Sequence, residues 1–207
     1  MIFTTATAIL FKRKMCLRGF YPLVWSKLSQ QKSVLAHCGP QSPTHYRASK
    51  KRIRKMLDDA NISYDKKMNE KELCAQFGHP QHYIPILNKY PGMNVCFGHW
   101  GSEISWKEYI ENPQNKSNWF YIIKEMLRNH PNLYTDISFT LNDQEFFSVL
   151  KVYLSDPKIL GKVLFGSDYY MVETKSTEKK FGFDLRAYLG EDFYKTIANQ
   201  NPVKYLN

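Results

Sequence analysis

A chain of 207 residues that is 43% hydrophobic and 15% aromatic carries enough apolar material for one domain with its own core, which excludes a disordered protein. Its net charge of +10 raises the question of a polyanionic partner. The densest basic stretch, Lys50-Lys51-Arg52-Ile53-Arg54-Lys55, has Ile53, Met56 and Leu57 at helical spacing, so it reads as a surface helix with a solvated basic face, and nucleic acid is not expected.

Membrane spans and disulfide scaffolds are also excluded. No apolar stretch approaches the ~18 residues a span needs. Cys16, Cys38, Cys74 and Cys96 form no close pair of the C-x-x-C kind, as expected of reduced intracellular thiols. Met1 to Leu10 is apolar, but Lys12, Arg13 and Lys14 follow it, the reverse of a secretory signal. A cytoplasmic protein with no membrane partner is expected.

In chain order, residues 1–18 show no convincing element and are expected to be an atypical or poorly ordered start, with one domain over 19–207. Gly19 to Pro22 suggests a strand end and turn, and Leu23 to Lys32 a short helix. Ser33-Val-Leu-Ala-His37 is a strand, followed by a long connection over 40–78 that holds the basic helix, a polar Asn61–Glu72 stretch and a surface loop. His79-Pro80 opens a helix that Pro91-Gly92 stops, and Asn94 to Gly98 is the next strand. Helices are expected over Trp106–Ile110 and Trp119–His130, the second with a buried stripe of Trp119, Ile122, Ile123, Met126 and Leu127. Leu133 to Asp136 is a strand, Gln144 to Leu154 a helix, Lys162 to Asp168 a strand, and Phe183 to Leu206 helical with an interruption at Asn201-Pro202. Alternation of strand and helix predicts a parallel α/β sheet.

The strands share a feature: each apolar run ends abruptly in His37, His99, Asp136 or Asp168. A parallel barrel gathers its chemistry at the carboxyl ends of its strands, where such residues would meet. Two histidines and two aspartates brought to one rim suit a hard or borderline divalent metal. His37, His99 and Asp168 could just supply the three protein ligands that a catalytic zinc needs. Asp168 could also take a proton from activated water. Cys38, one residue on from His37, should point away from the site. Asp136 is the weaker candidate, since an Asp at a strand end often only caps the next helix. His79 reads equally as a helix start, and His45, His82 and His130 as surface residues. Trp100 could wall a pocket or fill space between helices, and Tyr169 follows Asp168 where a substrate would lie.

The succession Val34–Pro40, Tyr90–Gly101, Pro131–Ser138 and Val163–Tyr170, with the ending Ile197-Ala-Asn-Gln-Asn-Pro202, resembles the amidohydrolase superfamily, and within it the metal-dependent hydrolases and aminocarboxymuconate-semialdehyde-type decarboxylases. The likeness covers about residues 19 to 206. It implies a partial TIM-type (β/α)8 barrel, holding about the fourth or fifth strand through the eighth. It also implies that His37 and His99 are the fifth- and sixth-strand histidines, and Asp168 the eighth-strand aspartate. His99 and Asp168 would be catalytic, with Trp100 and Tyr169 beside the substrate. The implied activity is metal-dependent hydrolysis of a small organic molecule, with non-oxidative decarboxylation, or a truncated and weakly active fragment, as the alternatives. The family's first strand carries His-x-His or Glu-x-His. This sequence has no His-x-His and no histidine before His37. Weak metal affinity is therefore expected, and an open barrel invites a homo-oligomer.

Overall fold

The computed structural model describes residues 33–40, 49–138 and 140–207; the expectations for residues 1–32 lie outside them. Four parallel strands form one sheet in sequence order: β1 (Ser33–His37), β2 (Asn94–Gly98), β3 (Leu133–Asp136) and β4 (Val163–Leu164). Each pair is joined through helices, as parallel pairing requires. This is the α/β architecture of a partial TIM-type barrel. The last strand is shorter than its apolar run suggests, because Phe165 already donates its N–H to the Ile197 carbonyl at 2.9 Å.

The sheet's outward face carries the main core. Val34, Ala36, Val95, Phe97, Leu133 and Val163 pack there against the helices. Helix α4 (Ser102–Glu111) and α5 (Trp119–Asn129) supply its aromatic centre. The Phe120 ring stacks on Trp100 at 4.9 Å and meets Trp106 edge-on at 4.7 Å. Asn118 caps α5 by accepting from the N–H groups of Phe120 and Tyr121, while its own amide donates to the Ser105 carbonyl, tying the two helices together. The buried stripe of α5 is wider than expected. It includes Lys124, whose ammonium lies 4.2 Å from the centre of the Tyr121 ring and within cation–π range of Tyr109 and Tyr153.

Two buried asparagines fix the strand ends from below. Asn132 donates to the carbonyls of Leu87, Tyr90 and Met93, locking the connection into β2. Asn201, fully buried, donates to Leu160 and Val163 at 2.7 Å each and so anchors the C-terminal helices to β4.

Over residues 49–78 the long connection is more ordered than its polarity suggests. The basic helix, α1 (Lys50–Asp59), buries Ile53, Met56 and Leu57 as expected. The stretch expected to be loop contains a second helix, α2 (Glu70–Phe77), started by a reciprocal capping box between Asn69 and Glu72. Leu73, Cys74 and Phe77 close a small separate core against α1. After α3 (Ile84–Lys89), α6 (Phe147–Leu154), α7 (Pro157–Leu160) and α8 (Tyr169–Val172), the tail divides into α9 (Glu178–Leu189), α10 (Glu191–Lys195), a π-helical turn (Thr196–Gln200) and α11 (Asn201–Leu206). Its break falls at Gly190, whose φ is +85°; Pro202 sits at the start of α11, where a missing N–H costs nothing. Among the described residues no helix is long and apolar enough to cross a membrane.

Candidate active site

Parallel pairing aligns His37 with Gly98, so the residue after Gly98 reaches the same mouth of the sheet. The His37 and His99 rings lie 4.5 Å apart, tilted by 58°. Strand alternation holds on β1: His37 is exposed, while Cys38 is buried in the main core. Cys38, Cys74 and Cys96 are all buried.

Beyond Gly98 the chain makes an unusual turn. His99, Trp100, Gly101 and Ser102 all have positive φ, at 66°, 40°, 84° and 81°. A bulky residue such as Trp100 adopts this conformation only where its surroundings enforce it. Gly101 is required, since a Cβ there would lie 3.2 Å from the Phe120 nitrogen. The turn sends the Trp100 side chain away from the mouth and into the core, where it is 0% exposed. The substrate contact expected of Trp100 is thus not offered by this structure; its indole fills space between helices. Tyr169 remains available at 46% exposure, immediately after Asp168.

Asp136, expected to be the weaker candidate, is the hub of the mouth. One of its oxygens accepts from the His99 N–H at 2.8 Å, the Ser138 N–H at 3.1 Å and the Ser138 hydroxyl at 2.6 Å. The His99 ring nitrogen Nδ1 in turn lies 2.9 Å from the Ser138 carbonyl and 3.1 Å from its hydroxyl. Glycines on both sides leave room for this network. A Cβ on Gly98 would sit 3.8 Å from the Asp136 carboxylate, and one on Gly166 would sit 3.4 Å from the Ser138 Cβ. The sequence shows Asp136 and Ser138 as a short polar pair two residues apart at the end of β3, a spacing that a helix cap shares.

Asp168 adopts a left-handed conformation at φ 53° before α8. Burial pushes its carboxyl above the usual range; the nearby His99 pulls it down and the Asp136 charge pushes it up. It therefore stands within electrostatic reach of both. The His37 and His99 rings meet at one mouth with Asp168 in electrostatic reach of His99, but among the described residues no three His, Cys, Asp or Glu side chains are arranged to hold a metal ion. The donors suit zinc chemically, yet their placement does not complete a binding set of three.

A family model described as Amidohydrolase matches residues 34–207. The chain belongs to the amidohydrolase family. The matched span begins within β1 and takes in every described strand and helix, so His37, His99, Asp136 and Asp168 all lie inside this amidohydrolase domain. No curated protein matches the sequence. Of the other histidines, His79 starts the turn before α3 and packs on Trp119 at 5.4 Å, with His82 5.7 Å away, while His45 lies outside the described residues.

Proposed function

We propose that this amidohydrolase domain is a hydrolase acting on a C–N or C–O bond of a small organic substrate, with His99 and Asp168 as its acid–base pair. The observation that supports this most directly is the meeting of the His37 and His99 rings, 4.5 Å apart, at the carboxyl mouth of a parallel sheet, with Asp168 in electrostatic reach of His99. A carboxylate lifted by burial takes a proton from attacking water more readily than a surface one. His99, held by its neighbours, is placed to relay that proton to the leaving group. Tyr169, exposed beside Asp168, is the substrate contact we assign.

The divalent ion that suits these donors is zinc, which His37 and Asp168 would hold weakly while the free nitrogen of His99 faces the reacting group. No step here depends on it. We assign the protein to the reducing cytoplasm, where buried cysteines such as Cys74 and Cys96 stay as thiols.

Two measurements test this reading. Dialysed protein should hold well under one zinc per chain by elemental analysis; one tightly retained zinc would overturn the weak-affinity assignment. Across a panel of esters and amides, Asp168→Asn should lower any hydrolysis by about 100-fold or more. Undiminished hydrolysis by that variant would remove Asp168 from the mechanism. Carbon dioxide release from a carboxylated substrate, without hydrolysis, would replace the hydrolase reading with a decarboxylase.

A further inference from the structure

The Ser138 main-chain oxygen, 2.9 Å from Nδ1 of His99, has no hydrogen to give. A hydrogen bond there requires the proton on Nδ1. The Ser138 hydroxyl supports the same direction: it gives its own hydrogen to Asp136 at 2.6 Å and so meets Nδ1, at 3.1 Å, with a lone pair. The neutral ring then carries its free lone pair on Nε2, the nitrogen that the network leaves alone. Asp136 also receives the His99 main-chain N–H at 2.8 Å, holding the residue in its left-handed conformation.

Building on the assignment of His99 above, we propose that Asp136 and Ser138 are positioning residues that fix His99 as the Nδ1–H tautomer and aim its Nε2 lone pair at the reacting group. Neither need touch the substrate. Their effect is to remove two freedoms, ring flipping and tautomer exchange, that would otherwise leave His99 in a productive state only part of the time.

Long-range nitrogen–proton NMR on ring-labelled protein reads the tautomer directly and needs no activity. The expected spectrum of the unmodified chain, taken at a pH where the ring is neutral, shows His99 with a protonated Nδ1 and an unprotonated Nε2. A protonated Nε2 in its place would overturn the proposal, whether or not the protein hydrolyses anything. Ser138→Ala keeps the carbonyl acceptor that demands a proton on Nδ1, so the Nδ1–H tautomer should persist; a switch to Nε2–H in this variant would show that the carbonyl does not fix the tautomer and would overturn the proposal. Should hydrolysis be found, Asp136→Asn should lower kcat by roughly 10- to 100-fold with KM little changed. A raised KM with unchanged kcat would instead assign Asp136 to binding. Absence of hydrolysis alone would count against the hydrolase reading and leave the tautomer result standing.

Discussion

The two faces of the sheet are built unequally. Outward, alternate strand residues enter a continuous core with the aromatic cluster of Trp100, Trp106 and Phe120 behind it. Inward, the buried set is small: Cys96, Tyr134, Leu164 and Tyr205, with Leu35 at the margin. Tyr205 comes from α11 and covers this face, its ring 5.3 Å from that of Tyr134. The period of two along a strand puts His37 on the same side as Leu35, and Asp136 on the same side as Tyr134. The groups offered for chemistry therefore belong to the thinly covered face, while cohesion comes from the other. In a closed barrel, further strands would surround that inner face.

This contrast can be broken first from the outside. Trp106→Ala empties a fully buried site whose indole also donates to the Trp100 carbonyl at 3.1 Å, and it should cost about 3–5 kcal/mol in denaturant unfolding. A loss below ~1 kcal/mol would mean that the aromatic cluster is not the centre of cohesion. The inner face should respond less. Tyr205→Ala should cost about 2 kcal/mol, near the value for burying one large apolar side chain. It should also unmask Cys96, whose thiol is held well above its ordinary pKa by burial, then by the charges of Asp136 and Cys38. Thiol labelling of Cys96 should be slow in the unmodified chain and faster in the variant; equal rates would show that Tyr205 is not the cover.

The smallest effect lies away from both faces. Burial, with the neighbouring His82 second, lowers the His79 pKa from 6.5 to about 4. A lowered folded-state pKa favours the neutral ring, so its contribution is complete above pH 6.5 and is lost as pH falls towards 4. His79→Gln should flatten the decline in melting temperature across that interval, by the equivalent of about 1 kcal/mol for a partly exposed ring. An identical pH profile would show that acid sensitivity arises elsewhere, for example at His82 or His130, both also lowered by burial.

The four strands and their ladder order were legible because a buried parallel strand needs a nearly continuous apolar run, and each run ends where a polar residue meets the mouth. The meeting of His37 and His99 followed from that rule. Trp100 did not, because strand alternation assumes extended backbone and the left-handed turn after Gly98 redirects the side chain. Asp136 was undervalued because an aspartate at a strand end is indistinguishable in sequence from a helix cap. Only the positions of Gly98, His99 and Ser138 around it reveal its three donors. Helix α2 was legible and overlooked: Asn69 and Glu72 carry the spacing of a capping box, but the surrounding polarity suggested loop.

The run of left-handed residues from His99 to Ser102 has an evolutionary consequence. Saturation mutagenesis across it would score these positions as intolerant for separable reasons. At position 99 the imidazole is needed for its nitrogens. At position 101 any side chain collides with Phe120 whatever its chemistry. Descendants of this sequence that abandon the present reaction would be free to lose the histidine long before they could lose the glycine.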